Sequence, residues 1–201
     1  MPAPAEPARV CGLVLAAGVS SRLGRPKQLL PYRGATLLDA VLDTARACPF
    51  DQLVVALGGA ADEVRAGVDL RGAEVVVNDA FGSGCSSSIA AAMAAVRDDV
   101  GVVMLLLGDQ PGVRAETVRA LLEGRAGAPL AVCAYDDGRG HPFGFGRPVF
   151  GDLRALHGDK AVWKLLDQRR ADVVEVRVPG LVPRDVDTWE DYEAALAAAP
   201  P

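Results

Sequence analysis

The stretch Arg9-Val-Cys-Gly-Leu-Val-Leu-Ala-Ala-Gly18-Val-Ser-Ser-Arg-Leu-Gly24-Arg-Pro-Lys27 decides the fold. Arg9 to Leu15 is a short, nearly continuous apolar run, the pattern of a strand buried on both faces. It leads straight into a loop with two glycines and two serines. Working outward, the same alternation continues. Thr36 to Cys48 predicts a helix, opened by a T-x-x-D capping box at Thr36 and Asp39 and carrying apolar residues at Leu37, Leu38, Val41, Leu42 and Ala45. Strands follow at Gln52–Leu57, Ala73–Val77, Gly101–Leu107, Leu130–Tyr135 and Asp172–Val178. Helices are expected at Ala60–Ala66, Ser86–Val96, Ala115–Glu123, Phe150–Leu156, Lys160–Arg169 and Thr188–Ala198. Between Asp136 and the Phe150 helix the chain turns Gly-rich and reads as turns. Strands alternating with helices predict an α/β, three-layer, Rossmann-like domain with a mostly parallel sheet. In such sheets ligands bind at the carboxyl ends of strands, so the loops after Leu15, Val77 and Leu107 are expected to line one crevice.

Composition narrows the field. Half of the 201 residues are apolar and 23% are charged, a globular balance. Length and the absence of a repeat or linker favour one domain over residues 9–199, preceded by a disordered Pro- and Ala-rich tail over 1–8. That tail has no basic region of a signal peptide, and the longest apolar stretch is far short of a membrane span. Cytoplasm is the simplest location, with no membrane partner. The net charge of −5 argues against a nucleic-acid binder. The charge is uneven, however: residues 7 to 38 hold Arg9, Arg22, Arg25, Lys27 and Arg33 and no acid. The four cysteines form no C-x-x-C pair, and only His141 and His157 could add imidazole, so a zinc site is not expected.

The basic segment coincides with the first loop. Gly18, Ser20, Ser21 and Gly24 allow close backbone approach and offer N–H donors to phosphate oxygens. Arg22, Arg25 and Lys27 add charge at the same place. The loop is neither of two common phosphate motifs: Lys27 follows Pro26 rather than a glycine, and no G-x-G-x-x-G is present. A flexible loop with solvated arginines is the plainer alternative. Asp109 follows the apolar strand ending at Leu107, where a carboxylate beside bound phosphate is a natural Mg²⁺ ligand.

The pattern L-A-A-G-x-S-S-R-x-G-x-P-K-Q-L-L resembles the signature loop of MobA-like nucleotidyltransferases, and among them the molybdenum cofactor cytidylyltransferases. Further matches follow in order: Asn78 with Gly84-Cys-Ser-Ser-Ser88, Leu107-Gly-Asp-Gln-Pro111, Gly138-Arg-Gly-His-Pro142, Leu156-His-Gly-Asp159 and Asp185-Val-Asp-Thr188. Together they cover about residues 9 to 195. The resemblance implies a fold of the nucleotide-diphospho-sugar transferase type. It also implies transfer of CMP from CTP to a molybdopterin-type cofactor with release of pyrophosphate, assisted by Mg²⁺. A molybdenum hydroxylase apoenzyme would be a downstream partner. The alternatives are a sugar- or polyol-phosphate acceptor, or a family member turned into an NAD(P)H-dependent oxidoreductase of the nicotine-blue type.

Carried onto this chain, the resemblance gives Leu15, Ala16, Ala17 and Gly18 to the base and ribose. Ala17 tilts the nucleotide towards CTP. Ser20, Ser21 and Arg25 join them in holding the nucleotide, and Arg22 and Lys27 grip the phosphates. Asp109 is both a catalytic and a metal residue, and Asp187 is the second metal carboxylate, unless it caps the helix that follows. Asn78 and Ser86 would meet the nucleotide, with helix capping as the alternative for the serines. Gln110, His141 and Asp159 would face the acceptor. Phe143 and Gly144 replace the two aliphatics that relatives often carry after Gly-His-Pro, and Lys160-Ala-Val-Trp163 departs from their Gly-Asp-x-Gly-Ala-Arg.

Overall fold

The structure, a computed structural model, describes residues 8–158 and 160–198. All but Ala8 of the expected tail therefore lies outside the described residues. In chain order the elements are β1 (Arg9–Ala16), a small hairpin of β2 (Pro31–Tyr32) and β3 (Ala35–Thr36), α1 (Leu37–Arg46), β4 (Gln52–Leu57), α2 (Ala61–Gly67) and β5 (Glu74–Val77). Then come α3 (Cys85–Ala95), β6 (Val100–Leu107), α4 (Ala115–Gly124), β7 (Leu130–Ala134), β8 (Arg139–Gly146), α5 (Phe150–Arg154), α6 (Ala161–Gln168), β9 (Val173–Arg177) and α7 (Trp189–Ala198). Seven strands form one sheet in the order β5-β4-β1-β6-β8-β7-β9, and only β8 runs antiparallel to its neighbours. This is the single α/β domain with a mostly parallel sheet that the alternation predicts.

Helices cover both faces. Val10, Val14 and Ala16 of β1 pack with α1, α2 and α4, whereas Cys11 and Leu13 pack with α3, α5 and α6. Alternate residues of one strand thus enter two cores, which is why the run carries almost no polar residue. The thiols of Cys11 and Cys133 are pushed up to about 12 by burial and stay protonated as core packing. A third apolar cluster joins Leu23, Leu30, Tyr32 and Leu37 to Val186 and ties the segment before α7 to the hairpin. No helix among the described residues is long and apolar enough to cross a membrane.

The turn-rich reading of the stretch after Asp136 is corrected, because residues 139–146 form β8 in the middle of the sheet. Gly140 stands where a neighbour leaves no room for a side chain. A Cβ on Gly140 would lie 2.7 Å from Val182 Cγ1, and one on Gly144 would touch Ala131 and Met104 at 3.4 Å. Phe143 and Phe145 between them are fully buried. Proline cannot donate to a ladder, and the pairing skips it: Val132 faces Phe143 while Cys133 faces Gly140, so His141 and Pro142 bulge out.

Strand register sets the position of the site. Ala16 pairs with Leu57, Leu57 with Val77, and Leu15 with Leu107, so four strands end at one edge. Beyond β6 the Gly108 N–H donates to Leu15 O at 2.8 Å, and a Cβ there would lie 2.8 Å from Ala16 Cβ. Glycine is what lets the two strands exit side by side.

Candidate active site

The first loop is folded onto its own exit. Ser20 sits at φ +53°, and its Oγ accepts the Lys27 N–H at 2.9 Å. The buried Gln28 donates from Nε2 to Ala16 O at 2.6 Å and to Gly18 O at 3.3 Å. These contacts fix the backbone of Lys27 and turn its stem inward. A cleft of about 270 Å³ opens beside the loop, lined in part by Gly18, Ser20, Ser21, Arg25 and Gly59.

Lys27 Nζ lies 2.5 Å from Asp109 Oδ2 and 2.8 Å from Asp187 Oδ1, and its side chain is only 10% exposed. Arg22 reaches the other Asp187 oxygen at 2.7 Å. Burial works to lower the Lys27 pKa, but the two carboxylates outweigh it and hold the ammonium above its ordinary value. Desolvation works to raise Asp187, and Lys27 with Arg22 outweigh it, so this carboxyl is held below its ordinary value. Asp185 moves the other way, raised by desolvation first and by the charge of Asp109 next.

Two strand-end segments are stapled to make this cluster. Val186 N–H donates to Asp109 O at 3.0 Å, and the buried Val186 side chain anchors the hairpin cluster. Gln110 donates from Nε2 to Pro183 O at 3.1 Å and to Asp185 Oδ1 at 2.7 Å. Its amide hydrogens therefore hold the 183–187 segment against the end of β6. The alternative of Asp187 as a helix cap is answered by its neighbours. Asp191 accepts from Thr188 N–H and Oγ, and Asp191 N–H donates to Thr188 Oγ1. Capping of α7 belongs to that pair, which leaves the Asp187 carboxylate to Lys27 and Arg22.

A divalent cation fits the chemistry here. Asp109 Oδ1 is buried with no hydrogen-bond partner among the described residues, a costly state for a carboxylate oxygen. Two carboxylates suffice for Mg²⁺ or Mn²⁺ when phosphate and water supply the other ligands.

The remaining expected residues are less tightly gathered. Asn78 donates through Nδ2 to Ser87 and Ser88, both at 2.9 Å, and its Oδ1 accepts from Ala80 N–H, so it secures the entrance to α3. Ser86 is buried in the first turn of α3, whose N-cap is Gly84 at φ +103° with no side-chain cap. His141 packs on Phe143 at 4.0 Å between ring centroids and on Trp163 at 6.5 Å, and burial lowers its pKa to about 4. It is a neutral ring in an aromatic cluster, with Arg139 over Trp163. Asp159 lies outside the described residues.

Sequence reading missed Gln28, Asp185 and the loop after β4. A Cβ on Gly58 would lie 2.5 Å from Ala17 O, and one on Gly59 would lie 2.6 Å from Phe81 Cζ. The available signal was the glycine pair directly after an apolar strand, in the same place relative to β4 that Gly18 takes after β1.

Comparison with known proteins adds the family. A model described as the MobA-like NTP transferase domain matches residues 12–173. A solved homologue of Rv0371c from mycobacterium sp. strain JC1 is 53% identical, with a TM-score of 0.88 over 94% of this chain and 96% of that one. Rv0371c from Mycobacterium tuberculosis H37Rv, solved as a complex with manganese, is 48% identical, with a TM-score of 0.87 over 96% of this chain and all of that one. Nicotine blue oxidoreductase of Paenarthrobacter nicotinovorans is 38% identical over 141 residues, 66% of this chain and 69% of that protein. The bifunctional GlmU proteins that also match are much longer, and the chain spans 39% of one from Halorhodospira halophila.

Proposed function

Because the chain belongs to the MobA-like NTP transferase family, we propose that it transfers a nucleotidyl group from a nucleoside triphosphate, CTP in the first instance, to the terminal phosphate of a molybdopterin-type cofactor. The observation that carries this reading is the Lys27 ammonium set between Asp109 and Asp187 at the foot of the Gly/Ser loop. In the reaction an acceptor phosphate oxygen attacks the α-phosphorus. The new P–O bond forms as the α–β bridging bond breaks, and pyrophosphate leaves with that bridging oxygen. A divalent cation, when bound, neutralises charge growing on the transferring and leaving oxygens.

The chain's own residues do the rest. Backbone groups from Leu15 to Gly18 take the base and ribose, with Ala17 favouring cytosine. Ser20, Ser21 and Arg25, which line the cleft, hold the phosphates. Lys27 and Arg22 bring positive charge to the leaving pyrophosphate, and Asp109 with Asp187 would hold the cation. Gln110 acts through the 183–187 segment it ties down. His141, kept neutral by burial, can offer a hydrogen bond and a ring face to the acceptor but no charge.

The test incubates the protein with radiolabelled CTP, Mg²⁺ or Mn²⁺ and the cofactor. A cytidine dinucleotide and pyrophosphate are expected, and no product with any nucleotide would overturn the reading. Product with a sugar or polyol phosphate and none with the cofactor would move the acceptor. The likeness to nicotine blue oxidoreductase favours a second reading, an NAD(P)H-dependent reductase. Calorimetry with CTP, GTP, ATP and NADPH separates the two, since the transferase binds CTP and the reductase binds NADPH without it.

A further inference from the structure

The Lys27 ammonium sits on the two carboxylates read above as the metal ligands. It contacts Asp109 Oδ2 and Asp187 Oδ1 at once, and the Lys27 side chain is nine-tenths covered. Two carboxylates facing one centre repel unless a positive charge lies between them. We propose that Lys27 is an exchangeable stand-in for the divalent cation. It holds the Asp109–Asp187 pair while no nucleotide is bound, and it gives the pair up to the cation as its ammonium turns to the triphosphate. The proposal rests on the reading of these two carboxylates as the metal site.

The exchange follows from charge and from how the loop is built. An ammonium and a dication cannot share the same oxygens, because like charges at that spacing repel strongly in a partly desolvated site. Bare metal must therefore displace Lys27 and leave it with no partner. Metal arriving with a triphosphate supplies that partner, so the two ligands bind as a unit. Asp109 Oδ1, buried and without a partner among the described residues, offers the cation a first oxygen that Lys27 does not occupy. Only the lysine stem has to move, since Ser20 Oγ holds the Lys27 N–H and Gln28 holds the loop beside it.

The experiment uses Mn²⁺ alone, titrated by electron paramagnetic resonance into the wild type, Lys27→Met and Asp109→Asn. Lys27→Met is expected to bind bare Mn²⁺ at least about tenfold more tightly than the wild type, because the competing charge is gone. Asp109→Asn is expected to lose the binding. Equal or tighter binding by the wild type, with Asp109→Asn still deficient, overturns the exchange and leaves the metal site standing. Mn²⁺ binding that is indifferent to Asp109 overturns the metal site itself, and the proposal with it. A second measurement needs no variant. The chain has three lysines, Lys27, Lys160 and Lys164, so an amine-reactive reagent and peptide mass spectrometry report each one. Bound Mn²⁺ is expected to speed Lys27 labelling several-fold and to leave Lys160 and Lys164 unchanged. An unchanged Lys27 rate at saturating Mn²⁺ overturns the exchange.

Discussion

At the residue scale the molecule turns on one lysine and two aspartates. Lys27→Ala and Asp109→Ala each delete a charge from the proposed reacting centre, and each is expected to lower kcat by about 10²–10³ in the nucleotide-transfer assay. The ion pair also gives a pH signature. Lys27 is held above its ordinary 10.5, so its contribution to stability is complete below about pH 10.5 and fades as pH rises through the higher folded value. Asp187 is held below its ordinary 3.8, so its contribution is complete above about pH 3.8 and fades as pH falls through the lower folded value. The difference in Tm between wild type and Lys27→Met should therefore narrow above about pH 10.5, and narrow on the acid side as the carboxylates that the variant leaves uncompensated take up protons. A difference that collapses near neutral pH would place the coupling elsewhere. Two of these residues were legible in advance as candidates. Lys27 stands in the basic loop that follows β1, and Asp109 just past an apolar strand. Gln28 and Gln110 were not readable as staples, because a glutamine amide reveals its purpose only through the carbonyls it meets.

At the element scale β8 is the instructive case. Its glycines and proline satisfy every sequence criterion for a turn, yet it fills the centre of the sheet between β6 and β7. Local propensity lost to packing there: Val182 takes the space that a side chain on Gly140 would need. Phe143 and Phe145 supply the apolar surface the strand lacks elsewhere. Phe143→Ala is expected to cost about 3–5 kcal/mol, read as a lowered denaturant midpoint at constant slope. A loss under 1 kcal/mol would mean the strand is held by its ladder alone. The capping box of α1 was legible, by contrast. Thr36 and Asp39 close α1 with both reciprocal bonds, and Thr188 and Asp191 close α7 in the same way. Such motifs span four residues and need no tertiary partner. Thr188→Ala should destabilise by about 1 kcal/mol and weaken Mn²⁺ binding as well, since the cap fixes the backbone beside Asp187. Thermal melts and a metal titration check the two effects separately.

At the scale of the whole molecule the charge is divided between surface and site. The chain is acidic, with a net −5, yet residues 7 to 38 hold five basic groups and no acid. In the folded protein Arg22 and Lys27 are answered by Asp187 and Asp109, brought in from far along the chain. Arg25 lines the cleft without such a partner among the described residues. Triphosphate affinity should fall as salt rises, because part of the attraction is between exposed charges that ions screen. Isothermal titration of CTP from low to high NaCl measures it, and a salt-independent Kd would assign the affinity to buried contacts alone.

The sequence by itself determined the βαβ alternation, the parallel sheet and the place of the first loop, because periodicity and Gly/Ser chemistry are local. It also carried the family, since its motifs lie in loops that follow strand ends. Only the tertiary structure decided that β8 is a central strand, that Gly58 and Gly59 share the mouth of the first loop, and that Lys27 bridges residues 82 and 160 positions away. Those outcomes depend on close approach and on which charges meet across the sheet edge. Both are properties of the packed chain rather than of any window along it.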